Sequence, residues 1–214
     1  MKKQVFLLLV GAFLTLGTMK VLAQSFNAGL FAGATASQVD GDKYYGYHKL
    51  GLTAGAYVNL PVSTHFALQM ELKYTQMGAH SSIKEQVEYN YLPYNLRLHY
   101  AEIPLMLRYD FGHFTVYGRS LDFLTLEAGI SLDFLLKHHG EMDYATQYWK
   151  LNFFSATGNI GAHLSLTDHI GVGVRWMYSI LPMQTNPTPQ WFFDHCYNKV
   201  LQATVTYNIN APVR

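Results

Sequence analysis

Apolar and polar residues alternate along most of the chain after residue 25, the pattern of a β-strand with two different faces. Residues 66–75 show it most clearly, because one face carries only Phe66, Leu68, Met70, Leu72 and Tyr74. Residues 123–136 and 170–178 repeat the alternation, and weaker versions cover 26–38, 49–58, 95–109, 151–164 and 198–209. The chain is therefore predicted to form eight strands.

The alternation changes phase inside 95–109. Two sets of apolar residues fall on opposite faces there: Leu96, Leu98 and Tyr100, then Ile103, Leu105, Leu107 and Tyr109. One extra residue in this strand would bring both sets to the same face, so we predict a β-bulge near Ala101 and Glu102.

The connections between the predicted strands alternate in length. Long ones fall at 39–48, 78–94, 137–150 and 179–197, and shorter ones at 59–65 and 165–169. An even number of antiparallel strands with this alternation is typical of outer-membrane barrels, in which long loops face outward and both termini face the periplasm. We therefore predict an all-β, eight-stranded antiparallel transmembrane barrel in the outer membrane, with both mature termini periplasmic.

The faces of the strands decide between a membrane barrel and a soluble one. A soluble barrel would turn its apolar face inward, whereas a membrane barrel turns that face to lipid and keeps a polar interior. The apolar face of 124–136 has seven positions, more than most soluble strands offer, and aromatic residues cluster near the strand ends. We predict that five of them lie at the membrane interface: Tyr47, Tyr91, Tyr94, Trp149 and Trp191.

Residues 1–23 predict a cleaved signal peptide. Lys2 and Lys3 precede 12 mainly apolar residues, Val5 to Leu16, which are too few for a membrane-spanning helix. The barrel domain is then residues 24–214. The segment carries three of the 15 basic residues and none of the 14 acidic ones, so the mature chain has a formal charge of about −2. That balance argues against a nucleic-acid partner, and the single cysteine, Cys196, rules out a disulfide framework.

Several segments between residues 38 and 109 resemble the PorT-like outer-membrane β-barrel family of Bacteroidota, and the resemblance spans most of the mature chain. The matching stretches read QVDGD at 38–42, GYHKLG at 46–51, ELKYTQMG at 71–78 and YAEIPLMLRY at 100–109. The resemblance implies an eight-stranded barrel inserted by the outer-membrane assembly machinery, and it implies no activity. The chain departs from the family in its longer segment at 112–122 and in the residues NAPVR that follow its last strand.

Charged residues on the polar faces should meet inside the barrel. There are four acids and three bases: Glu71, Lys73, Glu102, Arg108, Glu127, Asp133 and Arg175. Such a set could form an ion or proton path, or a charge-paired core that fills a narrow interior. Near-balanced charge favours the core, because a buried charge needs a partner to offset its desolvation.

Histidine and serine residues raise the question of an enzyme or a metal site. His80, Ser81 and Ser82, the pair His138 and His139, and His195 lie in predicted loops or rims, but no nucleophile-elbow motif accompanies them. Adjacent histidines point to different sides of an extended chain, which weakens a metal site with Glu141 and Asp143. We predict no catalytic residue, cofactor or metal.

The expected role is a non-enzymatic scaffold or a component of an envelope or secretion complex, embedded in outer-membrane lipid. Its partner contacts are expected in the loops at 78–94 and 179–197. A narrow channel for small solutes and a lipid-modifying outer-membrane enzyme stay open as alternatives.

Overall fold

The computed structural model describes residues 26–42, 45–88, 95–112, 114–116, 119–141, 151–184 and 195–210. Eight long strands close into a barrel in which every neighbouring pair is antiparallel. They are β1 (Asn27–Asp40), β2 (Lys49–Pro61), β3 (Phe66–His80), β4 (Asn95–Asp110), β7 (Leu124–Glu141), β8 (Phe154–Ser165), β9 (Ile170–Ser179) and β10 (Tyr197–Asn208). Closure pairs β1 with β10, so the sheet of these strands has no free edge. The predicted fold class is confirmed.

The barrel is apolar outside and polar inside. On β3, Leu68, Met70 and Leu72 are 38–64% exposed. Their neighbours on the other face, Glu71 and Lys73, are 2–3% exposed. The same contrast recurs on every wall, with the outward residues Leu30, Leu52, Leu105, Ile130, Ile160, Val174 and Leu201 all exposed. This is the polarity of a barrel whose outer surface meets lipid.

The connections at 62–65 and 166–169 are short as predicted, but the third connection at their end of the barrel, 111–123, is longer than 41–48 and 142–153 at the opposite end. The turns at 62–65 and 166–169 lie at one end of the barrel with the start of β1 and the end of β10, and we call this the short-turn end. The connections at 41–48, 81–94, 142–153 and 180–196 define the opposite, long-loop end.

Two small elements interrupt the connections. The segment 111–123 contains the hairpin of β5 (Thr115–Val116) and β6 (Arg119–Ser120), which explains why it is long for a turn. The connection 81–94 begins with a short helix, α1 (Ile83–Glu88). Among the described residues, no helix has the length and apolar character needed to cross a membrane.

The predicted bulge in β4 is wrong. β4 keeps one phase along its whole length, and the extra residue lies on its neighbour β7. His99 pairs with Lys137, whereas the next residue, Tyr100, pairs with Leu135. Leu136 therefore has no paired residue on β4 and forms the bulge. The first apolar set of β4 therefore faces the interior, because the interior is itself apolar at this level.

An apolar cluster fills the interior at the long-loop end. Its buried members are Val39, Met77, Ala79, Leu96, Leu98, Tyr100, Met177, Met183, Cys196 and Val200. Met183 and Cys196 come from the connection between β9 and β10, which a hydrogen bond from Met183 N to Cys196 O closes at 2.8 Å. Buried apolar side chains therefore dominate this part of the interior, with a few buried polar residues such as Ser37 and Asn198 opposite them.

Gly51 lets β1 and β3 touch across β2. The paired residues of β2 and β3 end at Thr53 and Thr75, so the backbone of β3 beyond that point needs other partners. Thr35 Oγ1 donates to Gln76 O at 2.6 Å, and Ser37 bonds both N and O of Gly78. A Cβ atom at Gly51 would lie 2.5 Å from Gln76 O, so a side chain there would separate the two strands.

Cys196 is buried in the interior apolar cluster, not facing lipid, and should react slowly. Burial, helped by the charge of Asp42, raises the pKa of its thiol to about 12. Because the thiolate is the reactive form, we expect a water-soluble maleimide at pH 8 to label the folded barrel at least about 100-fold more slowly than the urea-unfolded chain. Equal labelling of the two states would contradict this placement.

Candidate functional site: the charged barrel interior

The structure places all seven charged residues inside the barrel. Glu71, Lys73, Glu102, Asp133 and Arg175 are at most 6% exposed. Glu127 is 8% exposed, and the side chain of Arg108 is 12% exposed. The seven side chains come from β3, β4, β7 and β9, so their partners lie across the interior as well as on adjacent strands.

An ion pair between Glu71 and Arg175 joins opposite walls. β3 and β9 are four places apart in the order of the eight strands, so they face each other across the barrel. Arg175 Nη1 donates to Glu71 Oε2 at 2.9 Å, and Nη2 donates to Oε1 at 2.8 Å. This two-point contact between a planar guanidinium and a carboxylate is a strong form of ion pair.

The pair belongs to a closed ring of polar side chains. Arg175 Nε donates to Glu127 Oε1 at 2.9 Å, and Glu127 Oε2 lies 3.9 Å from Arg108 Nε. Arg108 Nη1 donates to Gln69 Oε1 at 2.6 Å, and Gln69 Nε2 donates to Glu71 Oε1 at 2.7 Å, which closes the ring. We call these five residues the polar ring. Its two bases and two acids balance, so it carries no net charge.

A second group lies around Lys73, nearer the middle of the barrel. Lys73 Nζ is 2.9 Å from Glu102 Oε2 and donates to Gln202 Oε1 of β10 at 3.1 Å. Asp133 stands directly opposite Glu102 on β7 and accepts a hydrogen bond from Thr157. Lys73 thus forms an ion pair with Glu102, Asp133 beside it is hydrogen-bonded to Thr157, and Lys73 also links β3 to β10.

The space left beside the polar ring is small. It has a volume of about 20 Å³ and is lined by ring members together with Tyr57, His163 and Thr206. That volume holds about one water molecule. His163 Nε2 and Thr206 Oγ1 are 2.9 Å apart, so this wall of the space is also hydrogen-bonded.

Sequence reasoning found the charges and missed their neutral partners. Gln69, Gln202 and Thr157 complete the contacts of the charged groups. Each lies on the inward face of its strand, so the same alternation that placed Glu71 could have placed Gln69. The strand that each side chain contacts across the interior depends on the strand order and the stagger of the closed barrel. The alternation of apolar and polar residues carries no information about either.

Aromatic side chains cluster on the outside near both ends of the barrel. At the long-loop end Trp176 Nε1 donates to Tyr47 OH at 3.3 Å, and Trp176, Tyr178 and Tyr197 form a stack with centroids 5.8 and 6.0 Å apart. At the short-turn end a second chain of ring contacts joins Phe66, Tyr109, Phe111 and Phe114. The other predicted interface residues, Tyr91, Tyr94, Trp149 and Trp191, lie outside the described residues.

The remaining candidates for chemistry do not converge. Ser81 is buried and its Oγ accepts a hydrogen bond from Gln86 Nε2 at 2.8 Å, whereas His80 is exposed. His138 and His139 are exposed on β7. Within the described ranges, no group of three histidine, cysteine or acidic residues could hold a metal ion.

The chain belongs to the outer membrane protein beta-barrel domain family, whose pattern it matches over residues 22–184. Together with the closed eight-stranded fold, this membership makes the chain an outer-membrane β-barrel. A search of curated protein sequences finds no match.

Several solved outer-membrane proteins are similar to this chain at low identity. Ail, the attachment invasion locus protein of Yersinia pestis, is 9% identical with a TM-score of 0.47, covering 86% of this chain and 99% of its own. Neisserial surface protein A is 13% identical, with a TM-score of 0.44 and coverages of 85% and 96%. OprG of Pseudomonas aeruginosa is 11% identical, with a TM-score of 0.38 and coverages of 87% and 95%. Identities this low carry no activity from these barrels to this chain.

Breaking the pair between opposite walls should destabilise the barrel. Glu71→Gln removes the bonds of a charged carboxylate but leaves Arg175 bonded to Glu127, so we expect a loss of about 1.5–3 kcal/mol of unfolding free energy. Urea unfolding in detergent micelles, followed by gel mobility without boiling, measures the difference.

Lys199→Gln is the matched control. Its partner Asp40 is 3.7 Å away and both side chains are about 30% exposed, so its loss should cost less than about 1 kcal/mol. Equal effects of the two substitutions would show that the interior pair has no special structural role.

Proposed function

We propose that this outer-membrane barrel is a non-enzymatic scaffold whose interior serves stability and whose long loops make its contacts. The observation that carries the proposal is the filled interior. The polar ring joins opposite walls, and the interior apolar cluster packs the space above it. Ions need a continuous path of water or polar ligands, and the bulky side chains of this cluster, with Met183 and Cys196 folded in from the last long connection, occupy the space that such a path would need.

The long-loop end has the features of a contact surface. Ile83 and Val87 lie one turn apart on α1, and both are 80% exposed. Apolar side chains this exposed at one place favour a protein partner. We place the main contacts in the connections 81–94 and 180–196, and we assign the partner to an envelope or secretion complex.

The orientation follows from how such barrels are built. Long loops of outer-membrane barrels face the outside and short turns face the periplasm. With residues 1–23 removed as a signal peptide, both mature termini would lie in the periplasm, and the barrel assembly machinery would insert the chain. The resemblance of the first four strands supports a place among the PorT-like barrels of Bacteroidota.

The protein should not conduct ions steadily. The measurement uses 1 M salt, in which the electrostatic screening length is about 3 Å. Under these conditions we expect planar bilayers that contain the purified barrel to show no stable, protein-dependent current. A barrel with an open interior serves as the positive control for the bilayers, and gel mobility without boiling shows that the inserted protein is folded.

A stable current would favour the alternative of a narrow channel. If Glu71→Gln or Arg175→Gln then changed that current without changing stability, the charged interior would have to be assigned to transport.

Deleting residues 83–92 should separate binding from folding. The deletion removes α1 and the chain that follows it but no residue of β3 or β4, so the barrel should keep its mobility shift on gels. Cross-linking of intact cells should then recover fewer partner proteins than from the full-length chain. A deleted protein that no longer folds, or one that keeps every partner, would contradict the assignment of contacts to this loop.

A further inference from the structure

Basic side chains form a compact patch on the outer surface of β4 and β7 at the long-loop end. In the register of these strands His99 lies opposite Lys137, and Arg97 lies opposite His139. Directly opposite residues of an antiparallel pair share one face. Arg97 is exposed between the buried Leu96 and Leu98, so that face is the outer one. We call these four residues the outward basic patch.

The patch concentrates positive charge. Arg97, Lys137 and His139 are exposed, and the charges of Lys137, Arg97 and Lys49 all act on His99. On β3 the same two rows continue with Gln76 and Gly78, so across the described parts of β3, β4 and β7 these two rows contain no acidic residue; the next row pairs Asn95 with Glu141.

The ring of His99 is held in place by its neighbours. Tyr74 OH lies 2.5 Å from His99 Nδ1, and Gln76 Nε2 donates to Tyr74 OH at 3.0 Å. The Tyr74 and His99 rings also pack at 5.9 Å between centroids. This side of the patch is therefore preorganised.

The patch lies directly above the lipid-facing belt. The next outward row toward the short-turn end is Tyr74, Ala101 and Phe134, followed by Leu72, Ile103 and Leu132. Outward residues of β3 stay apolar from Phe66 to Tyr74, which at strand rise and tilt spans about 20 Å. The apolar band of such barrels is about 25 Å tall, so the patch falls at the headgroup level of one leaflet.

We propose that the outward basic patch binds a phosphate group of a lipid in the leaflet that the long loops face. A guanidinium matches phosphate with two parallel hydrogen bonds, and a nearby ammonium adds a point charge. The acyl chains of such a lipid would lie on the apolar rows below its headgroup. This choice of leaflet rests on the proposed orientation, in which the long loops face the outside. The ligand is then a phosphorylated glycolipid of the outer leaflet.

Native mass spectrometry of the detergent-solubilised barrel tests the proposal. The probes are a bisphosphorylated lipid A and the same lipid after enzymatic removal of its phosphates. We expect the barrel to retain the phosphorylated lipid and release the other. Arg97→Gln and Lys137→Gln should each weaken retention about fivefold, and together about 25-fold.

Lys199→Gln is again the matched control, because it removes an outward cation at the same end of β10. That strand lies four places from β4 in the barrel order, on the opposite wall, so lipid retention should not change. Each variant is first shown to keep its gel mobility shift. All substitutions lie on the outer face, and the single variants keep the test valid if the double variant does not fold.

Four results would overturn the proposal, three of them from the lipids and variants above. These three are equal retention of both lipids, unchanged retention by the Arg97→Gln and Lys137→Gln variants, and an equal loss in Lys199→Gln. Displacement of the lipid by an equal concentration of inorganic phosphate would also overturn it, since the site would then bind free phosphate. A bilayer current would contradict the scaffold proposal and leave these outcomes unaffected.

Discussion

The ion pair between Glu71 and Arg175 crosses the full width of the barrel, and the rest of the interior is arranged around it. A narrow barrel in lipid has no water outside with which to satisfy polar groups, so polar side chains must turn inward and find partners there. Burying a charge without a partner would cost several kcal/mol. The two contacts of Arg175 with Glu71 and its further bonds to Glu127 meet that requirement.

The interior changes character along the barrel axis. The polar ring lies toward the short-turn end, the group around Lys73 follows, and the interior apolar cluster fills the long-loop end. Met183 and Cys196 fold into that cluster from the last long connection, which anchors the base of a loop to the core. In the scaffold role that we propose, contacts with other molecules are made by the loops and the outer surface.

Alternation alone predicted the eight strands, the outward apolar face and the seven inward charges, because side-chain direction in a strand depends only on position. It failed at Leu96, Leu98 and Tyr100, where the assumption of a uniformly polar interior led to a bulge in the wrong strand. The contact between Glu71 and Arg175 joins strands four places apart, and no local pattern reports barrel closure. The outward basic patch was missed for a similar reason, since Arg97 and Lys137 meet only through the register of β4 and β7.

The central claim is a closed barrel whose polar side faces inward and whose apolar side faces lipid. The most direct test is the gel mobility of the mature protein taken from the outer-membrane fraction, with and without boiling. We expect the unboiled protein to run as a compact species and the boiled protein to shift, because a closed sheet with a paired interior resists detergent. Identical mobility, with the protein recovered in the soluble periplasmic fraction, would contradict the account and reverse the assignment of inner and outer faces.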